Sequence, residues 1–509
     1  MSKGMEHMKS LRKLSAVVFA GMIVSGYTAA QQPPQQQQEH QHPRPAQKSD
    51  QKPEMQGMQE HAGHQMAQIP PVKPEFPHLG KTQEQAKGPL MRLETLQQMA
   101  AESNPTLRQA EAEIRSAKAR QQQSGLYPNP TVGYTGDEIR GGAIGGGKQG
   151  FFVSQPIVTA GKLGKNRKIL GEEVRLSEVE AEEQKMRVQN AVRIGFYRVL
   201  GAQETLEAKR DLARIAEVNA ETERRLMNTG QADESEVLQA EVEARRMQMA
   251  VRVQENTLRE AWRGLTALVG RPELPLQIVE GNLEIDLPQL NEEQVIETIA
   301  MDSPAVRIAA ISTVRAQAVL ERSKAELVPD LQLRAGAVHS GEQISGINRA
   351  IGWEGLAELG VTLPIWNRNQ GNIEAARRDI DRAQKEERRV ELTLRARAAA
   401  MLDGYASARV MADEYRDGIL PRATKAYSLL VDKYGKMLAS YPVVLNSQKT
   451  LYQLQLEYIA TLQNLWTTGI ALQGYLLTDG LEAPARPSEV DRPVRETNVP
   501  MSQSTSPQQ

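Results

Sequence analysis

Three prolines recur in the same order in the two halves of the chain, and this recurrence limits the possible folds more than any other feature. Pro105, Pro128 and Pro156 are followed at nearly constant spacing by Pro304, Pro329 and Pro364. Each set punctuates one plan: a helical stretch broken at Asn104-Pro105 or Ser303-Pro304, a second helix, two extended segments joined by a loop, and a very long charged helix. Landmarks repeated in order mark a duplication. In the first copy, Leu126-Tyr127-Pro128-Asn129-Pro130 opens the extended part and Phe151 to Ile157 returns it. In the second, which begins near Gln294, Leu327-Val328-Pro329-Asp330 opens it and Val361-Thr362-Leu363-Pro364-Ile365 closes it.

The helices are longer than a globular core requires. Lys165 to Asn228 contains no proline and would extend about 95 Å if continuous. Val188, Val192, Phe196, Val199, Leu206, Ala213, Ala216 and Ala220 follow three-, four- and seven-residue spacing. In the second copy Leu394, Ala398, Met401, Tyr405, Ala408, Ala412, Tyr415 and Ile419 alternate by four and three. Such a heptad seam predicts paired coiled-coil helices. Pro421 interrupts the second seam and is expected to kink it. Short turns reverse each helix, one within Asn228-Thr229-Gly230-Gln231-Ala232-Asp233 and the other between Tyr434 and Pro442.

The extended segments alternate as half-buried strands do. Leu331, Leu333, Ala335 and Ala337 fall on one side, with Gln332, Arg334 and Gly336 on the other. On the return, Leu359, Val361 and Leu363 oppose Glu358, Gly360 and Thr362. Apolar outside and polar inside is the sidedness of a water-filled barrel in a membrane, with Gln332, Arg334, Glu358 and Thr362 facing the lumen. Trp353 and Trp366 flank this hairpin, where aromatic girdles sit. Four strands are too few, since the smallest closed barrels need about eight; the barrel has to be shared between chains.

Hydrophobic residues make up 40% of the 509 and aromatics only 4%, so the apolar content is mostly aliphatic and suits long helices. Basic and acidic residues, 62 and 63, are interspersed, which leaves no electrostatic footprint for nucleic acid. The absence of cysteine excludes disulfides, thiol catalysis and cysteine metal cages, and with them a lipoprotein anchor. Lys9, Arg12 and Lys13, the apolar Leu14 to Gly26, and Thr28-Ala29-Ala30 read as an export signal over residues 1–30, which a start at Met8 would preserve. The apolar run is too short to span a bilayer. Residues 31–88, rich in Gln, Pro, His and Met, and the tail 483–509 are expected to be disordered; repeat one takes 89–285 and repeat two 286–482.

In this order of elements the chain resembles the TolC family of outer-membrane efflux proteins over about residues 90 to 480. The family turn is written Tyr-x-x-Gly-x-x-Ser-x-x-Asp-Val-Leu-x-Ala. Copy one matches it at Gly230, Val237, Leu238 and Ala240, and carries Met227, Asp233 and Glu236 at the Tyr, Ser and Asp positions. Copy two has Tyr434, Ser440, Leu445 and the small Ser447, with Met437 replacing the glycine. The run Pro364 to Ile373 looks like the heavy-metal branch, the CzcC and CusC type. The resemblance implies a mainly α chain with a small β part: a coiled-coil helical barrel continuing into a transmembrane barrel of about twelve strands closed by a homotrimer. It implies no catalysis and no cofactor. Asn228, Gly230, Asp233, Glu236, Leu238, Tyr434, Ser440 and Leu445 would form the end that docks a periplasmic adaptor, and an inner-membrane pump of the resistance-nodulation-division class would supply energy. Heavy-metal cations are the favoured cargo, with drug efflux or type I secretion open within the family. Outside it, the competing class is a periplasmic coiled-coil scaffold that enters no membrane.

Two clusters have candidate chemistry. Asp432, nearest the second turn, and Asp417 further back, with Asp413 behind it, are candidates for a tunnel gate, since a ring of three carboxylates attracts cations; the alternative is a solvated coiled-coil face. Met55, Met58, His61, His64 and Met66 form a thioether–imidazole set suited to Cu(I) or Ag(I), or else an incidental polar tail. Gly142 to Lys148 resembles a phosphate loop but has Gln149 where Ser or Thr belongs, and lies between two strands. His339, at the end of a strand, reads as a loop residue. A Cu(I) titration of the 31–88 peptide under reducing conditions should show saturable binding; a flat titration would remove the tail from any metal role.

Overall fold

The computed structural model describes residues 90–482, apart from 140–146, 286, 288 and 344–349. The expected signal, both tails, the Met55–Met66 set and most of the glycine-rich loop therefore lie outside the described residues. The order helix, helix, strand, strand, helix, helix occurs twice. The first round comprises α1 (Leu93–Ser103), α2 (Pro105–Ser124), β1 (Thr131–Asp137), β2 (Lys148–Ile157), α3 (Lys162–Asn228) and α4 (Glu234–Val269). The second comprises α5 (Glu292–Asp302), α6 (Pro304–Ala325), β3 (Leu331–Gln343), β4 (Ala350–Val361), α7 (Gln370–Glu414), a π turn (Tyr415–Ile419), α8 (Leu420–Gly435) and α9 (Tyr441–Gln473).

Both expected breaks are helix starts with proline at the first position. Asn104 caps α2 through its side chain, which accepts from the Thr106 amide, and Ser303 caps α6 in the same way at Val306. Proline loses nothing there, because that amide has no partner within the helix. α3 is a single helix of 67 residues, about 100 Å long. All eight of its expected seam positions are buried.

The second seam departs from expectation at two places. Leu402 is buried where Met401 was expected, and Tyr415 and Ile419 are only partly buried. The second departure has its cause at Pro421. With no N–H, it cannot donate to Asp417, and its ring crowds that carbonyl. The helix widens instead of breaking, and the Leu420 amide donates to the Tyr415 carbonyl five residues back. One extra residue in the turn rotates the following face.

The four strands form one antiparallel sheet in the order β1-β2-β3-β4, so β2 and β3 join the two hairpins. β1 and β4 are its edges. The helices keep a similar order. Near the sheet α2 packs on α3, α3 on α6 and α6 on α7. Toward the turns the order is α4, α3, α9, then α7 with α8. Sheet and wall are each one layer with two unpartnered edges.

A belt covers one side of this wall. The Met91 amide donates to the Ile278 carbonyl (3.0 Å) and the Glu280 amide to the Met91 carbonyl (2.9 Å). Trp262 and Trp466 pin the same stretch by donating their indole N–H groups to the carbonyls of Leu274 (3.1 Å) and Leu283 (2.8 Å). Phe196, Leu200, Leu265 and Leu462 fill the core beneath, and Tyr197 stacks on Trp466 at 3.7 Å.

A charged clamp joins wall to sheet. Lys162, 3% exposed, meets Glu326 (3.1 Å) and Asp330 (3.0 Å), and Arg322 bridges Glu326 (2.6 Å) and Asn166 (2.7 Å). Burial alone would raise the Asp330 carboxyl. The Thr159 amide and the Lys162 ammonium outweigh it and hold the group below its usual range. That contribution is present above about pH 4 and fades as the pH falls through the depressed value. Lys162→Met should lower the unfolding free energy by about 1–3 kcal/mol, because the carboxylates facing it stay partly solvated. Thermal unfolding at neutral pH checks this, and the difference should narrow in acid.

Candidate functional site

Alternation along four paired strands gives the sheet two unlike faces. Val132, Tyr134, Phe151, Val153, Leu333, Trp353 and Leu359 fall on one face by register, and all are exposed, Trp353 by 70% and Leu359 by 66%. A contiguous exposed apolar surface of this kind marks an interaction with lipid or protein. The other face is polar. Lys148 pairs with Glu354 (3.1 Å), Arg334 with Glu358 (3.6 Å), and the Arg334 guanidinium lies 3.9 Å over the Phe152 ring. β2, β3 and β4, of 10, 13 and 12 residues, are long enough to cross a bilayer's hydrocarbon. Among the described residues no helix is long and apolar enough to do so.

Three of the four expected lumen residues, Gln332, Arg334 and Glu358, share the polar face, where Arg334 and Glu358 are register partners. The fourth falls outside the paired register. Thr362 lies one residue beyond β4, which ends at Val361; Pro364 cannot donate to a ladder and restricts Leu363 before it. Trp353 belongs to the apolar face, whereas Trp366, also exposed, lies past the sheet. His339 is not in a loop: it sits inside β3 opposite Trp353, the rings 5.5 Å apart and edge to face.

At the far end of the wall the two turns share a hydrogen-bond pattern. After α3 the Gly230 amide donates to Met227 and the Gln231 amide to Leu226; after α8, Met437 donates to Tyr434 and Leu438 to Lys433. Both are helix stops that place one residue in the left-handed region. Gly230 occupies it at φ +74 and Met437 at φ +58. The missing glycine therefore leaves the geometry intact and strains one side chain. Asp233 and Glu236 form a reciprocal capping box at the start of α4, and hydrogen bonds from the Ser235 hydroxyl and the Glu236 amide hold the Asp233 carboxyl below its usual value. Ser440 starts α9 without a side-chain cap. Leu238, Met437 and Leu438 are exposed, Tyr434 packs beside Tyr441 at 5.9 Å, and the half-buried Leu445 packs beneath with Leu212 and Tyr452. Asn228 ends α3.

The gate candidates Asp432 and Asp417 are exposed, Asp413 is half-buried, and all three are paired. Asp432 meets Lys436 at 2.7 Å and Asp417, inside the π turn, meets Arg416 at 2.7 Å; Arg416 also meets Asp413 at 3.0 Å. The hydrogen bond from Arg416 holds Asp417 below its usual range. Among the described residues no cluster of three metal-ligating side chains occurs.

An exposed apolar sheet on a two-turn helical wall recurs in known proteins. The sequence profile of the family described as Outer membrane efflux protein matches residues 96–271 and again 295–476. The chain belongs to that family. It is 26% identical to the cobalt-zinc-cadmium resistance protein CzcC of Cupriavidus metallidurans over 378 residues, covering 74% of this chain and 88% of the relative. Its fold is similar to the crystal structure of CusC (TM-score 0.62, 16% identity, covering 75% of this chain and 91% of that one). A membrane protein from Pseudomonas aeruginosa is comparable (TM-score 0.61, 17% identity, 75% and 93%). Family and fold are those of outer-membrane efflux channels, in keeping with the sidedness of the sheet.

Sequence reading missed the capping box, although Asp-x-x-Glu ahead of an apolar run is its signature. It also missed the clamp at Lys162, which no local pattern announces because its partners lie far away in sequence. Met437→Gly should raise stability by about 1 kcal/mol by relieving the left-handed side chain, and Gly230→Ala should lower it by about as much. Thermal unfolding of the two variants should shift in opposite directions.

Proposed function

We propose that this chain is the outer-membrane duct of a heavy-metal efflux system and that three copies close it. The observation that carries this reading is the pair of open edges, β1 and β4, on a sheet whose apolar face is exposed. In hydrocarbon an open edge leaves peptide groups unpaired at several kcal/mol each. Closure by further copies satisfies them, and the unpartnered edges of the helical wall suit the same closure. Export by residues 1–30 and a helical wall projecting into the periplasm complete this topology.

The helical turns, with their exposed Leu238, Met437 and Leu438, are the end that meets a periplasmic adaptor, beyond which an inner-membrane pump supplies energy. Gln332, Arg334 and Glu358 line the barrel lumen. The likeness to a cobalt-zinc-cadmium resistance protein over most of both chains supports a heavy-metal cargo. Asp432 and Asp417 fit a gate only if Lys436 and Arg416 release them, since each carboxylate is already paired.

A deletion strain should lose tolerance to one or more of cobalt, zinc, cadmium, copper and silver, with the protein in the outer-membrane fraction as a heat-dissociable oligomer. Unchanged tolerance to all five with altered drug tolerance would reassign the cargo. A soluble periplasmic monomer would overturn the duct.

A further inference from the structure

The two repeats match bond for bond where helix meets strand. At the end of α2 the Gly125 and Leu126 amides donate to the carbonyls of Gln122 and Gln123; at the end of α6, Glu326 and Leu327 donate to Ser323 and Lys324. β1 therefore corresponds to β3 with Pro128 on Pro329. Both α3 and α7 start from a left-handed residue, Gly161 at φ 65 and Asn369 at φ 57. Lys165 donates to Gly161 as Ile373 does to Asn369. β2 therefore corresponds to β4 with Pro156 on Pro364.

Inside the chain the repeats meet where β2 pairs with β3, Ile157 opposite Leu331 and Pro156 opposite Gln332. Carried over to the open edges, the same join sets β4 of one copy against β1 of the next, with Val361 opposite Tyr134 and Leu363 opposite Val132. The edges suit it in three respects. β1 and β4 run antiparallel. The four paired side chains are apolar, exposed and on the same face. And β4 stops at Val361, whereas the equivalent stretch of β2 continues to Ile157. Residues 154–157 have β3 beside them; residues 362–365 have no strand, because β3 begins at Leu331, opposite Val361.

The stagger also closes. Thr131, Ser154, Arg334 and Glu358 form one row across the sheet, and the join carries it to Asp137 of the next copy, about six residues further along β1. Over three copies this tilts strands spaced about 4.8 Å apart by roughly 45°, a tilt that closed barrels adopt. Asp137 then faces Glu358, and Arg334, which meets Glu358 at 3.6 Å, offsets the like charges.

We propose that neighbouring copies join in this register, so that β4 lengthens over residues 362–365 on assembly and Asn367 of one copy meets Asn129 of the next. These asparagines stand where Thr159 and Asp330 meet inside the chain (2.8 Å), and Gln370 stands where Lys162 does. The seam between copies is thus a neutral counterpart of the charged clamp within each. This rests on the duct proposed above.

Because the chain has no cysteine, paired substitutions in the full-length protein test the register. Tyr134→Cys with Val361→Cys, oxidised in isolated outer membranes with copper phenanthroline, should give covalent dimers and trimers on a non-reducing denaturing gel. A disulfide needs Cα atoms within about 7 Å. The two-residue slips, Tyr134→Cys with Leu359→Cys or with Leu363→Cys, should therefore remain mostly uncrosslinked. Val132→Cys with Leu363→Cys is a second pair in the same register and replaces the first if that variant fails to reach the membrane. Dominant cross-linking at a slipped pair, or none at any pair in a heat-dissociable outer-membrane oligomer, overturns the register and leaves the duct standing. A wild-type protein that is a soluble monomer overturns both.

Discussion

The unpaired backbone edge of a strand is the constraint from which the rest follows. Four strands with an exposed apolar face cannot rest in water without exposing that face, nor in lipid without stranding the N–H and C=O groups of β1 and β4. Neither problem has a solution within one chain. The same limitation recurs below the sheet, where α4 and α7 bound a wall one helix thick. Helix order follows strand order because each long helix continues directly from a strand, so one closure satisfies both layers.

Within the wall, side-chain size sets the spacing. Toward the first turn α3 and α4 meet through Ala216, Ala220, Ala240 and Ala244, which lets the helices approach closely. Toward the second, α8 and α9 meet through the bulkier Tyr427, Val444 and Leu451. Under the belt Phe196, Trp262 and Trp466 bury large aromatic surfaces. The two turns thus share a hydrogen-bond pattern but not their packing. A π turn stands behind the second turn alone, and such turns concentrate at functional sites.

Much of this was legible in the sequence because period encodes face. The α3 seam was read without error since an unbroken helix keeps its phase over its whole length. The second seam kept its phase through Ala412, with Leu402 buried in place of Met401, until the widened turn ahead of Pro421 changed its period. Alternation located the polar and apolar faces of β3 and β4 but overran the strand end at Thr362, where proline chemistry two residues on decides the boundary. The turns show the opposite case. Met437 departs from the family pattern, yet the backbone keeps the pattern's conformation, because hydrogen bonds to Tyr434 and Lys433 fix it whatever the side chain. The clamp around Lys162 was not legible, since its partners Glu326 and Asp330 lie far away in sequence.

The central claim is that the apolar face of the sheet meets lipid and its polar face meets water. The chain contains no cysteine, so single cysteines can be placed on either face without a background signal. Intact outer membranes carrying Leu359→Cys or Arg334→Cys would be treated with a charged, water-soluble maleimide. The account predicts rapid labelling at position 334 and protection at 359, with the protection lost once detergent disrupts the membrane. Equal labelling of both positions in intact membranes would contradict it.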